Sequence, residues 1–211
     1  MDAPVTLKKR TPVVLLLLVS LLLIVLALAV TSKLVATEIR WDESTLRHVL
    51  QKEIAQVQAL AAAPQVVAAV QQQNAAALSK ADILRRDLAW SSGDSTLPLK
   101  QQMLGSEITH FLKQQVERSR VYSEMILTDR QGANVATWPL SSDYWQGDEA
   151  KWREVALFGR ESYLSPVAHD LSSDSNVVQL AVPVLDDQHT IGVLIVSIRL
   201  SHVFGNQLRH Q

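Results

Sequence analysis

An uninterrupted apolar stretch near the N-terminus constrains this chain more than any other feature. Residues 13–30 (VVLLLLVSLLLIVLALAV) contain only Ser20 as a polar side chain. As a helix, at about 1.5 Å per residue, the stretch extends roughly 27 Å, close to the hydrocarbon thickness of a bilayer. Three basic residues at 8–10 precede it, and Lys33 alone follows closely. The positive-inside rule then predicts a cytoplasmic segment 1–12, a transmembrane helix 13–32 and an exported remainder.

A cleavable signal peptide is the competing interpretation, because Ala27-Leu28-Ala29 resembles a small-residue cleavage site. The apolar stretch is longer than the hydrophobic region of a signal peptide, which is usually about 7–15 residues. It also leads into a helical pattern without a break. Both features favour an uncleaved anchor, and in both interpretations about 180 residues are exported.

Charge and cysteine content exclude several classes of function. The chain has no cysteine, which excludes disulfide frameworks and thiol chemistry. From Leu34 onward it carries 16 basic and 20 acidic side chains, a net charge of −4. Because an acidic domain without a basic stripe is a poor candidate for nucleic acid binding, no nucleic acid partner is expected.

Helical periodicity dominates residues 33–119. Apolar residues recur on one face from Leu46 to Ala61, which predicts a long amphipathic helix continuing from the membrane span. Pro64 suits the first turn of a further helix, whose Gln- and Asn-rich end at 71–77 is predicted to be solvated. More helices are expected at 80–90 and around 104–116, separated by the polar loop 91–98.

Strand-like alternation replaces this pattern in residues 120–200. Two strands joined by the turn DRQG are followed by a short helix with acids at its start, and then by three strands. The segments VVQLAVPV and IGVLIVSI are apolar enough for the centre of a sheet. The predicted strands are 121–128, 133–138, 163–168, 177–184 and 190–200, with helices at 148–158 and within the tail 201–211. This order predicts an α+β fold with an N-terminal transmembrane helix, long amphipathic helices and an antiparallel sheet.

No motif for catalysis, metals or cofactors stands out. Gly93-Asp94-Ser95 resembles part of a lipase signature, but it lies in a polar loop, and no G-x-S-x-G elbow is present. The histidines never pair at i,i+4, and the acidic loop 170–176 lacks the ligand spacing of a calcium site. P-loop and G-x-G-x-x-G patterns are absent too. We therefore expect a protein that is not an enzyme and that has no metal and no cofactor.

The segment SDYWQGDEAKW (142–152) is the strongest candidate for a site. Its aromatic side chains supply apolar area with polar handles, and nearby acids supply charge, which is the mixture that a small-ligand pocket requires. Alternatively, the aromatics cap the edge of the sheet and the acids cap the following helix. Residue types alone leave both interpretations open. The candidate ligand-binding side chains are Tyr144, Trp145, Trp152, Asp143, Asp148 and Asp170.

Longer strings add a family resemblance. MILTDRQGANVATWPLSSDYWQGDEAKW, YLSPVAHDLSS and VVQLAVPVLDDQHTIGVLIVSI resemble, in order and spacing, the extracytoplasmic Cache (PDC, PAS-like) sensor domains of bacterial membrane receptors. The likeness spans about residues 36–200. It implies a single PAS-like Cache domain at 33–200 whose ligand cavity is lined by Tyr144, Trp145 and Trp152, with Asp170 on the opposite wall. The amino-acid-binding branch carries an Arg near the aromatic pair, whereas this chain has none between Arg130 and Arg153.

The resemblance implies a small-ligand sensing module anchored in the bacterial inner membrane by a single span, with its C-terminal domain in the periplasm. Because the sequence ends about ten residues after the last predicted strand, output is expected from a partner protein or a homodimer. Association is predicted through the helix face that carries Leu46, Leu50, Ile54 and Val57. The alternative function is a single-pass scaffold that assembles partner proteins in the periplasm.

The acids of the segment favour a ligand with an amine, held over a Trp or Tyr face and paired with a carboxylate. Helical spacing places Lys151 and Arg153 about 100° to either side of an inward-facing Trp152, toward solvent. On this hypothesis, Trp152→Ala is expected to abolish ligand-induced stabilisation and to leave the fold largely intact.

Overall fold

The structure, a computed structural model, describes residues 42–92, 97–170 and 175–207, together with Leu21. Trp41–Gln211 forms one unit. Leu21 apart, the predicted segments 1–12 and 13–32 lie outside the described residues. Among the described helices, none reaches the length and hydropathy of a membrane span by itself, and one pair, Gln51–Ala61 with Pro64–Ala75, reaches both across a bend of 57°.

Six helices precede the sheet in the described part of the chain. Asp42, Ser79 and Ser106 each begin a helix by accepting a hydrogen bond from the backbone N–H three residues later, and two other helices begin with proline. The six are α1 (Glu43–Val49), α2 (Gln51–Ala61), α3 (Pro64–Ala75), α4 (Lys80–Trp90), α5 (Pro98–Leu104) and α6 (Glu107–Arg118).

The remaining elements form an antiparallel sheet, with one helix inserted after its first hairpin and one helix after its last strand. The strand order is β2-β1-β6-β5-β3, and β4 also pairs with β5. The α+β prediction and its antiparallel sheet are therefore confirmed for the described residues. The elements are β1 (Tyr122–Asp129), β2 (Asn134–Trp138), α7 (Ala150–Ala156), β3 (Tyr163–Leu164), β4 (Ala168–Asp170), β5 (Ser175–Asp186), β6 (His189–Arg199) and α8 (Leu200–Gln207).

Three predicted elements differ from the structure. The predicted helix through residues 46–61 is interrupted, because the backbone of Leu50 (φ −96°, ψ 12°) leaves helical geometry. The predicted strand 163–168 is two short strands, since Pro166 between them has no N–H to donate to a ladder. The predicted helix 148–158 is limited to α7, with Glu149 as its N-cap.

The apolar face of α1 and α2 is buried within the domain. Leu46, Leu50 and Val57 are at most 2% exposed and belong to a core cluster with residues of β1, β5 and β6. The prediction that this face mediates association is therefore wrong, because the chain's own sheet already covers it.

The Gln- and Asn-rich end of α3 was predicted to be solvated, but three of its side chains form hydrogen bonds with other elements. Gln71 Nε2 donates to Asp186 Oδ2 (2.7 Å) in the β5–β6 hairpin, and Gln73 Nε2 donates to the carbonyl of Asn134 (3.1 Å). Asn74 Nδ2 donates to the carbonyl of Ile191 (2.8 Å), and Asn74 Oδ1 accepts from the amide of Arg130 (3.1 Å). These amide side chains fasten α3 to both hairpins.

Candidate ligand-binding site

The SDYW part of the predicted site is fastened to α4. The backbone amides of Tyr144 and Trp145 both donate to Asp87 Oδ1, each at 2.9 Å. The Tyr144 ring is 1% exposed and packs against Trp90 with 5.8 Å between ring centroids. The indole N–H of Trp90 donates to the carbonyl of Ser141 (2.8 Å). This loop is therefore held by packing and by hydrogen bonds to the helical half.

Trp145 lies against the β1–β2 turn with a cation already over its ring. Its indole N–H donates to the carbonyl of Gln131 (2.7 Å), and Lys80 Nζ lies 2.9 Å from the ring centroid. Desolvation lowers the pKa of Lys80, while the charges of three acids, Asp148, Asp87 and Asp129, oppose that shift. One of the aromatic faces that could hold a ligand amine on the sequence-based prediction, that of Trp145, is thus occupied by the chain's own lysine.

Asp129 organises the turn beneath this loop. Its Oδ1 accepts from the amides of Gln131 (2.8 Å) and Ala133 (3.0 Å). Burial raises the pKa of Asp129, and these amide hydrogen bonds act in the opposite direction. The amide of Gln146 also donates to the carbonyl of Gly132 (2.7 Å), so the loop is joined directly to the turn.

The predicted acids have different environments. The backbone carbonyl of Asp143 accepts from the side-chain amides of Asn134 (2.9 Å) and Gln146 (3.1 Å), while its carboxylate accepts from Ser142 Oγ (2.7 Å). Asp148 is exposed. Asp170 ends β4 opposite Ser175, and its side chain lies outside the described residues.

Trp152 belongs to a different part of the molecule. It is 5% exposed and packs, with Val155 of the same helix, on Ile126, Ala181, Val193 and Ile195 of the sheet. Its neighbour Lys151 was predicted to face solvent, but it is buried at 8% exposure and its Nζ lies 3.0 Å from Glu149 Oε2. Arg153 is exposed as predicted. Within the described part of the chain, Tyr144 and Trp145 share one cluster, and Trp152 lies in another.

The sheet face under α7 changes character along its strands. Strand pairing aligns Ile126, Ile195, Ala181 and Tyr163 side by side across β1, β6, β5 and β3, and Trp152 and Val155 cover this apolar row. Two residues further along each strand, side chains return to the same face. The register there aligns a polar row of Glu124, Ser197, Gln179 and Ser165.

The polar row borders a cavity of about 580 Å³, which also has Ser123, Pro139, Ala168, His169, Val177 and Arg199 in its lining. Ser197 Oγ donates to Glu124 Oε2 (3.0 Å), and Arg199 Nη1 donates to the carbonyl of Tyr122 (3.1 Å). Ser165 and Gln179 exchange hydrogen bonds, from the Ser165 amide to the Gln179 carbonyl and from the Gln179 amide to Ser165 Oγ, both at 2.9 Å. The cavity lining therefore combines the carboxylate of Glu124 with hydroxyls, the side-chain amide of Gln179, the imidazole of His169 and the guanidinium of Arg199.

Of the predicted ligand-binding residues, the five whose side chains the structure describes do not line this cavity, and the side chain of Asp170 is outside the described residues. Three of the residues that do line it are polar interruptions in strongly apolar strands: Glu124 before MILT, Gln179 within VVQLAVPV and Ser197 within IVSI. A polar residue on the buried face of a strand was the signal that could have located them.

Comparison with known proteins finds likeness among solved structures alone. No protein-family model matches the chain, and no curated protein matches it. The sensor domain of the histidine kinase DctB of Vibrio cholerae is 23% identical with a TM-score of 0.34, over 45% of this chain and 37% of that one. The ligand-binding domain of the Pseudomonas aeruginosa amino acid chemoreceptor PctC, solved with GABA, is 14% identical with a TM-score of 0.42, over 77% and 58%.

The sensory domain of the Campylobacter jejuni chemoreceptor Tlp3 with isoleucine bound is 17% identical with a TM-score of 0.35, over 77% of this chain and 65% of that one. The chain resembles Cache-type sensor domains, as predicted. It spans 26–58% of the length of the first three matched structures. At identities below 25% and TM-scores below 0.5, these matches say what the chain resembles, and its function is inferred from its own geometry.

Proposed function

We propose that this chain is an extracytoplasmic ligand-sensing domain, anchored in a bacterial inner membrane by residues 13–32, that binds a small molecule on the polar row of its sheet. The observation that carries the proposal is the cavity of about 580 Å³ over Glu124, Ser197 and Gln179. Its volume lies within the range of about 300–1,000 Å³ of small-ligand sites. The covered apolar row beside it supplies a packed wall.

The carboxylate of Glu124 favours a ligand that carries an amine. Among the described lining residues it is the one acidic side chain, and Ser197 Oγ donates a hydrogen bond to its Oε2. A hydrogen bond between an ammonium group and a carboxylate is about twice as strong as one between neutral groups. We retain the amine predicted from the sequence, with Glu124 as its partner in place of Asp143 and Asp148.

The strands offer a path from the cavity to the N-terminal helices. Met125 and Val196 neighbour Glu124 and Ser197 in sequence but point to the opposite face, into the core cluster under α1 and α2. On that face, Tyr122 Oη donates to Gln56 Oε1 of α2 (3.2 Å). Burial, with a smaller contribution from the charge of Glu53, raises the pKa of Tyr122 to about 12, so this phenol remains a donor. A shift of β1 on ligand binding would reach α2 directly.

Ligand binding can be tested with a panel of primary amines and amino acids in a thermal-shift experiment on the full-length chain. We expect at least one amine to raise the melting temperature of the wild type. Glu124→Gln preserves shape but removes the charge, and it should weaken that binding about tenfold or more, since a hydrogen bond to a charged group contributes about 1.5–3 kcal/mol. Glu117→Gln, which removes an exposed carboxylate on α6, is the control and should bind as the wild type does. Equal affinity in Glu124→Gln and wild type would contradict the proposal.

Membrane topology has its own test, which the absence of cysteine simplifies. A single cysteine is introduced at exposed Glu161 or, in a second variant, at Ala3 in the predicted cytoplasmic segment. A membrane-impermeant maleimide should label Glu161→Cys in intact spheroplasts, and should label Ala3→Cys only after lysis. The reverse pattern would refute the proposed orientation.

A further inference from the structure

A second cavity lies in the helical half, away from the polar row. It has a volume of about 370 Å³, is partly open, and is lined by residues of α3, α4, α5, α6 and β2 and by Tyr144. Ala69, Leu99 and Met103 give it apolar walls, while Arg86 and Tyr144 supply its guanidinium and its phenol. It shares no lining residue with the cavity over Glu124.

Arg86 is the charged residue among the described residues of this lining, and it is half-buried. Its Nη1 donates to the neutral hydroxyl of Tyr144 (3.3 Å). Among the side chains that the structure describes, no carboxylate lies within 4.0 Å of its guanidinium.

The neighbouring carboxylates on α4 already have other partners. Asp87 accepts the amides of Tyr144 and Trp145, and Asp82 pairs with Arg85 (2.9 Å) on the exposed side of the helix. A guanidinium that lines a cavity without a carboxylate partner is electrostatically suited to a bound anion, and its planar donors match both oxygens of a carboxylate.

We propose that this cavity binds a small organic monocarboxylate with an apolar body. The carboxylate would accept hydrogen bonds from the Arg86 guanidinium and the Tyr144 hydroxyl, and the hydrocarbon part would pack on Leu99 and Met103. The site extends the proposed function, because it would give the domain a second ligand of opposite charge on a separate surface. A bound ligand would contact the Tyr144 loop and α3. The side chains of Gln71, Gln73 and Asn74 in turn join α3 to both hairpins by hydrogen bonds.

The probe is valerate, with valeramide as its neutral isostere, in titration calorimetry at pH 7 on the full-length chain in detergent. We expect valerate to bind the wild type and valeramide to bind at least tenfold more weakly. Arg86→Gln should weaken valerate binding at least tenfold. Arg85→Gln removes the same charge from the adjacent position, where the side chain is 75% exposed, and it should leave the affinity within twofold of wild type.

A second variant tests the same cavity independently, in case Arg86→Gln fails to fold. Ala69→Leu fills the cavity from α3 without altering the guanidinium, and it should also weaken valerate binding at least tenfold. Glu124→Gln should not change the affinity for valerate, and this result would distinguish the carboxylate site from the proposed amine site. Valerate and valeramide binding with equal affinity, valerate failing to bind the wild type, or equal losses in Arg85→Gln and Arg86→Gln would each overturn the proposal.

Discussion

Trp152→Ala is expected to lower the free energy of unfolding by about 3–5 kcal/mol, the range for truncating a buried aromatic side chain. The indole covers Ile126, Ala181 and Ile195 together with Val155, so its removal leaves a void between α7 and the sheet. This expectation replaces the one drawn from the sequence, which treated Trp152 as a ligand contact dispensable for the fold. Urea unfolding of wild type and variant, followed by circular dichroism, measures the difference.

Trp152→Phe is the informative companion variant. Nε1 of Trp152 is buried and has no hydrogen-bond partner among the described residues, so phenylalanine removes an unsatisfied donor while keeping much of the apolar contact. We expect it to lose less than half of the free energy lost by Trp152→Ala. If alanine costs less than about 1 kcal/mol, the indole does not hold α7 to the sheet, and the core role assigned here is wrong.

Gly192→Ala is expected to destabilise the domain by about 3 kcal/mol, at the upper end of overpacking penalties. Gly192 pairs with Asp129 where β6 passes beneath α3. A Cβ at this position would meet the carbonyl oxygen of Thr128 and would come within 2.8 Å of Val70 Cγ1. Because the first obstacle is backbone, relief requires a shift of a central strand.

Gly105→Ala is the matched control for that variant. Gly105 caps α5 with a negative φ of −83°, and the nearest atom to an added Cβ would be a backbone oxygen at 3.4 Å. Its effect should remain within about 0.5 kcal/mol of zero. The same chemical change at two glycines thus separates a steric effect from a general effect of alanine. Similar losses at both positions would contradict the close approach of β6 to β1.

Local patterns in the sequence determined most of the architecture. Capping residues such as Ser79 and Ser106, Pro64 at a helix start, and the apolar strands around Leu180 and Ile195 act within a few residues, so they could be recognised without the fold. At the end of α3, a local pattern was misjudged because of tertiary contacts. The amides of Gln71, Gln73 and Asn74 look like solvated residues until the hairpins are placed beside them.

The candidate sites were decided by the tertiary structure. Glu124, Gln179 and Ser197 form one row only because strand register aligns them, and register depends on pairing between segments distant in sequence. Arg86 meets Tyr144 across 58 positions because the loop that carries Tyr144 docks on α4. Conversely, Tyr144 and Trp152 are neighbours in the sequence but are drawn into separate clusters, because the loop docks on α4 while α7 turns its indole onto the sheet. Sequence proximity suggested one pocket, and competition between two packed surfaces separated its parts.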